Sequence, residues 1–245
     1  MSRLELTPPL TVLIYSWHRV CILMVSGQPS HVERVHMEVR HRIVHGGYAP
    51  GVPLSEAKLA RELRASRTPV REALSRLLEE GYVERIPRRG FFVARVTVAM
   101  IHNVFEIRRL LEGAAAARAA ELATPEDLGR LRALADYRYA DGVAASRKAY
   151  EVNAQFHTAV AAATRNGLLV DLVRNCIDQI TRFMALGVSL QTFQEAASDE
   201  HLAIVDAIEQ KDPAAARRAA EQHLDASSRF LMKALMNGDI RGVSV

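Results

Sequence analysis

Val35, Val39, Ile43 and Val44 recur at the three-to-four-residue spacing of a single helix face, predicting an amphipathic helix over 32–45. Gly46-Gly47 ends it, and Tyr48-Ala49-Pro50-Gly51 reads as a turn. After Leu54, Ser55 is a good N-cap for a second helix, 56–64, burying Leu59, Ala60 and Leu63. A short turn over 64–67 follows. Thr68 then caps a third helix with Pro69 in its first position, where the missing N–H costs nothing. That helix runs through Val70, Ala73, Leu74, Leu77 and Leu78 to Glu80, and Gly81 stops it. Residues 82–86, then Pro87-Arg88-Arg89-Gly90, then 91–93 read as strand, basic turn, strand.

Beyond Val98 no strand-like alternation stands out. Helices are predicted over 100–121, from Pro125 to about Tyr139 behind a Thr124 cap, and over 146–164. Asn166-Gly167 and Asp212-Pro213 punctuate three more, over 168–188, 191–211 and 213–236. The fold class is therefore mostly α. An N-terminal winged helix-turn-helix domain (31–96) precedes an all-α bundle of about six helices (97–237) and a short tail (238–245).

With 245 residues, 49% apolar and 24% charged, the composition is that of a globular chain and excludes a disordered or fibrous one. The two cysteines, Cys21 and Cys176, are too few for a disulfide framework and point to a reducing cytoplasm. Charge changes the picture more. Residues 1–98 carry 15 basic against 9 acidic side chains, whereas 99–245 carry 17 against 19. A basic front half suggests a nucleic-acid module followed by something else. Residues 1–30 form an extension with no assigned role, either a disordered tail or an early start with Met24 as the alternative. Its apolar stretch from Leu10 to Val25 is broken at Ser16-Trp17-His18-Arg19 and falls short of the roughly 20 apolar residues of a membrane span. It also lacks a signal-peptide cleavage site.

In a winged helix-turn-helix the second helix of the turn pair enters the major groove by its N-terminal end. Ser66, Arg67, Thr68 and Arg71 stand there. Arg67 and Arg71 each carry a fork that reaches guanine O6 and N7 bidentately, and Ser66 and Thr68 offer hydroxyls to phosphates or base edges. Arg88 and Arg89 in the wing can reach backbone or minor groove, and Gly90 lets the main chain come close. The whole stretch from Ile43 to Val93, and above all Ser66-Arg67-Thr68-Pro69-Val70-Arg71-Glu72-Ala73-Leu74, resembles the DNA-binding domain of the GntR family of bacterial transcriptional regulators. One departure is Arg64-Ala65 in the turn, where that family often has Gly-Val. Arg64 must then accept the backbone conformation the turn demands.

The back half has four histidines: His102, His157, His201 and His223. Asn153 and His157 are four apart and share a helix face. His201 and His223 stand on the fifth and sixth helices of this half, so three helices can send one Asn and three His toward one cavity. Imidazoles suit zinc, nickel, iron or manganese, and three of them plus one oxygen leave positions open for a ligand. A single helical histidine is more often a hydrogen-bonded residue than a ligand, and spacing alone does not bring helices together.

The order Glu106-Ile107-Arg108, Leu111-Glu112, Asn153, Phe156-His157, Asn166, Glu200-His201, Ile204, Ile208, Asp212 and His223 resembles the FCD effector domain of the FadR subfamily. The resemblance implies a divalent metal, zinc ahead of nickel, manganese or iron, on Asn153, His157, His201 and His223. It also implies a small carboxylic acid effector bound with help from Arg108. Many members carry Asp where this chain has Asn153, and a neutral amide oxygen should hold a metal more weakly. The reading is a ligand-responsive repressor, a cytoplasmic homodimer on a palindromic double-stranded DNA operator, with no membrane partner and no catalysis. The rivals are a metal-dependent hydrolase-like enzyme and a regulator whose metal-free pocket takes a larger acyl effector.

Overall fold

The computed structural model describes residues 29–137, 143–185, 191–236 and 243–244. The extension assigned no role thus lies outside the described residues except for its last two positions, as does most of the C-terminal tail. The basic front half comprises α1 (His31–Val44), β1 (Pro53–Leu54), α2 (Glu56–Glu62), α3 (Arg67–Glu79), β2 (Val83–Ile86) and β3 (Gly90–Val93). The rest comprises β4 (Val96–Thr97), α4 (Val98–Leu122), α5 (Pro125–Ala135), α6 (Val143–Ala163), α7 (Gly167–Met184), α8 (Gln191–Glu209), α9 (Pro213–Met236) and β5 (Val243–Ser244). No helix among the described residues is long and apolar enough to cross a membrane.

Each element of the front half starts and stops for a local reason. Ser30 and Glu33 close a capping box on α1, Ser30 Oγ accepting from the Glu33 N–H and the Glu33 carboxylate from the Ser30 N–H at 2.8 Å. The apolar face that follows, Val35, Val39 and Ile43, is buried against Val70, Ala73, Leu74 and Leu77 of α3. Ser55 caps α2 as expected. α3, however, starts at Arg67 with Ser66 in the cap position, so Thr68 and Pro69 lie inside its first turn. Proline is tolerated there because the first four helical N–H groups have no intrahelical partner. Leu78 is exposed rather than core. β3 is the middle strand of an antiparallel sheet ordered β1-β3-β2, with Leu54 opposite Phe91 and Ile86 opposite Gly90.

Two helices of this half end in the same motif with different residues. After α3, the Gly81 N–H bonds to the Leu78 carbonyl and the Tyr82 N–H to that of Leu77, with Gly81 at φ 77°. After α2, the Arg64 N–H bonds to Arg61 and the Ala65 N–H to Ala60, with Arg64 at φ 50°. Both are Schellman caps, whose left-handed position favours glycine. The left-handed conformation costs a non-glycine residue about 1–2 kcal/mol, and glycine gives back about 0.5–1 kcal/mol as backbone entropy. Arg64→Gly is therefore expected to stabilise the protein by about 0.5–1 kcal/mol, read as a higher urea midpoint at unchanged slope. An unchanged or lower midpoint would contradict the strain argument.

In the helical half, α4 runs centrally and packs on α6, α7, α8 and α9. Its small residues Ala115, Ala116, Ala119 and Ala120 are buried and let its neighbours approach closely. A side chain at Gly113 would meet Glu221 Oε1 of α9 at 3.0 Å. α5 ends at Ala135, short of Tyr139, and α7 ends at Met184, short of residue 188. β4 and β5 form a parallel two-residue pair, Val96 opposite Val243. α7 also meets α1: Arg40 donates to Asn175 Oδ1 at 2.5 Å and to the Tyr82 hydroxyl at 3.3 Å, and pairs with Asp178 at 2.9 Å.

Candidate metal centre and nucleic-acid interface

His157 from α6, His201 from α8 and His223 from α9 are each buried, and one ring nitrogen from each lies within 4.8 Å of the others. His102, the fourth histidine of this half, is exposed. The structure thus brings together the three histidines that spacing alone left on separate helices. Asn153 is half-buried one turn before His157 on α6.

Two of the rings are held from behind by carboxylates. His157 Nδ1 donates to Glu112 Oε2 at 2.6 Å, and His223 Nδ1 to Glu200 Oε2 at 2.8 Å. Each bond fixes the tautomer that leaves a lone pair on Nε2. His157 Nε2 is buried and has no partner. His223 Nε2 faces His201 Nε2 at 3.3 Å, so His201 either donates a proton across that gap or both lone pairs turn to a shared cation. Phe156 stacks on the His201 ring at 4.0 Å and fixes its plane. Burial pushes His157 down to about 4 against the pull of Glu112, and lowers His201 well below its ordinary value. A divalent metal requires oriented imidazole lone pairs, and the unpartnered His157 Nε2 together with the facing Nε2 atoms of His201 and His223 can supply them, so the donor set fits one.

Arg108 is buried one turn before Glu112 on α4, and its Nε donates to Glu112 Oε1 at 2.6 Å. Its Nη2 is buried without a partner. Arg108 and His157 together hold the Glu112 carboxyl well below the usual carboxylate range despite its burial. Sequence reasoning assigned no role to Glu112 or Glu200. Glu200 is next to His201 in the chain yet serves His223 on another helix, which no local pattern signals.

In the front half Ser66, Arg67, Thr68, Arg71, Arg88, Arg89 and Gly90 are all exposed. The Ser66 hydroxyl makes no bond to its own helix. Ile86-Pro87-Arg88-Arg89 closes with an Arg89 N–H to Ile86 carbonyl bond of 3.0 Å, and puts Arg88 at φ 63° at the wing tip. Arg89 lies over the Phe92 ring at 5.2 Å. Arg71 is paired with Glu56 of α2.

Comparison with known proteins follows the same division. Residues 31–93 match the family described as bacterial regulatory proteins, gntR family, and residues 103–226 match the FCD domain. The HTH-type transcriptional repressor RspR of Escherichia coli (strain K12) is 30% identical over 200 residues, covering 80% of this chain and 86% of that protein. The galactonate operon transcriptional repressor of the same organism is 30% identical over 222 residues, covering 81% and 96%. Among solved structures, E. coli McbR/YncC shares the fold at a TM-score of 0.70 and 23% identity, with 85% of this chain and 100% of that one covered. The matched family and the two repressors are transcriptional regulators and not enzymes, which removes the hydrolase-like reading.

Proposed function

Because this chain belongs to the GntR family of bacterial transcriptional regulators, in its FadR-type branch with an FCD domain, we propose that it is an acid-responsive repressor whose helical domain holds a divalent metal. It acts in the cytoplasm as a homodimer on a palindromic operator. The observation that carries the metal reading is the convergence of His157, His201 and His223, two of them backed by carboxylates.

His157, His201 and His223 would hold the metal, zinc ahead of nickel, manganese or iron, with Asn153 as a weaker oxygen ligand. When bound, the metal supplies a Lewis-acid position for one carboxylate oxygen of the effector. Arg108 orients the effector: its Nε is spent on Glu112, and its unpartnered Nη2 is the donor left for a carboxylate. Repression of an operon named for galactonate, a hydroxy acid, by one relative supports both the sign of regulation and the effector class.

Ser66, Arg67, Thr68 and Arg71 at the start of α3 would meet base edges, and Arg88, Arg89 and Gly90 the adjacent backbone. The dimer is supported by exposed apolar side chains on two helices that pack together, Ile107 and Leu110 of α4 and Leu168 and Leu172 of α7. α7 also suits the coupling role. It packs on α4 and α6 on one side and is tied through Asn175 and Asp178 to Arg40 of the DNA-binding half on the other. An effector that binds two arrangements of this joint unequally shifts operator affinity.

Zinc titration of untagged protein, with operator binding measured in parallel across a panel of short hydroxy acids, tests the proposal. One zinc per chain is expected. His201→Ala should weaken zinc binding more than about tenfold and abolish the acid response while keeping operator affinity. Asn153→Asp should tighten the metal. A wild-type protein that takes up no zinc would overturn the metal reading.

A further inference from the structure

Glu56 is the first residue of α2, just after the Ser55 cap, and its carboxylate takes Arg71 of α3 side-on. Arg71 Nε donates to Oε1 at 3.0 Å and Nη2 to Oε2 at 2.8 Å. A guanidinium has five N–H groups. This grip uses one on Nε and one on Nη2, and leaves the Nη1/Nη2 end of the fork free. That end is one of the two edges able to span guanine O6 and N7.

We propose that Glu56 is a positioning residue for sequence reading: by holding the side edge of Arg71 it fixes the guanidinium plane and directs the free end of the fork at guanine. The inference deepens the reading of α3 as the recognition helix and rests on it. The pairing is otherwise hard to account for. Arg67 and Arg85 stand near enough to act on the same carboxyl, which together with Arg71 they hold below its ordinary range. An acid in such a basic face repels phosphates, and an exposed ion pair contributes little to stability. The Arg71 side chain is 67% exposed, so its free edge is accessible, whereas that of Glu56 is 23% exposed and anchored at a helix start. A fork held before encounter loses less rotamer freedom on binding than a free one.

The test uses the full chain and a duplex that the wild-type protein selects from a randomised pool, against a random duplex of equal length at matched salt. Each base pair of the selected duplex is substituted in turn. Arg71→Ala should remove roughly ten- to a hundredfold of discrimination at one G·C pair. Glu56→Ala should bind the random duplex more tightly, since a negative charge is gone, yet lose about tenfold or more of discrimination at that same pair. Glu56→Gln, which keeps one carbonyl acceptor at the helix start, should fall between. The double variant should discriminate no worse than Arg71→Ala. If both Glu56 variants gain affinity for all duplexes with discrimination unchanged, Glu56 acts only through its charge and the positioning role is overturned. If Arg71→Ala itself leaves discrimination intact, the recognition reading of Arg71 fails, and the role of Glu56 with it.

Discussion

Glu112→Leu is expected to destabilise the metal-free protein by about 3–5 kcal/mol, the usual consequence of removing one member of a buried charge pair. Glu112 stands between two buried groups, accepting from Arg108 Nε on one oxygen and His157 Nδ1 on the other. Without it the Arg108 guanidinium, whose Nη2 already lacks a partner, has no counterion in an environment that excludes water. The loss should appear as a lower urea midpoint in chelator. Arg108→Met combined with Glu112→Leu removes both charges at similar volume, and should recover most of the loss, because two buried charges and an apolar pair of the same shape differ little in free energy. A single variant costing less than about 1 kcal/mol would mean that water or a second anion reaches Arg108, contrary to its burial. Glu112→Leu should also weaken zinc binding by about 10–100-fold, since His157 loses the bond that fixes its tautomer.

What was legible in the sequence divides along local and non-local signals. Ser55, Thr124, Asn166 and Asp212 mark helix starts because their side chains bond the backbone N–H three residues on, and the structure shows those bonds. Gly81 ends α3 because its φ of 77° suits no other residue as well. Arg64, flagged for standing where glycine is usual, does adopt a positive φ. Where two caps compete within three residues, as at Ser66 and Thr68, pattern alone chose wrongly. The two-residue strands escaped notice. β1 is too short to alternate, and β4 pairs with β5 from the far end of the chain, a contact without local trace. The three histidines could be named from resemblance, but their meeting depends on how α6, α8 and α9 pack. Glu112 and Glu200 stand in the motif that carries that resemblance, but their place behind the imidazoles has no local trace for the same reason. The resemblance implies an Arg108 that awaits an effector; the structure commits its Nε to Glu112 and leaves its Nη2 without a partner.

Acidification from pH 7 to pH 4 is expected to cost the metal-free protein about 3 kcal/mol through His157 alone. The folded state holds His157 near 4, below its ordinary 6.5, because burial disfavours the imidazolium. Between those two values the unfolded chain binds a proton that the folded chain refuses. Stability is therefore fully present above about pH 6.5 and falls by roughly 1.4 kcal/mol per pH unit until the folded pKa is reached. The groups around the ring act on this in known directions. Glu112 opposes the depression, while Arg108 and His223 reinforce it. His201, lowered by burial and then by the neighbouring His223 and His157 imidazoles, adds to the loss with the same sign. Glu112, held low in the folded state, contributes stability that is present above its ordinary value of 4.5 and lost as pH falls beneath it, the same sign again. Asp178, raised by burial at the α1–α7 contact, works the other way and softens the slope. Urea midpoints in chelator at half-unit steps from pH 7 to pH 4 should fall throughout. A flat profile above pH 4.5 would mean that His157 takes up a proton in the fold as readily as in the unfolded chain, contrary to its burial, and would remove the basis for treating it as a neutral donor.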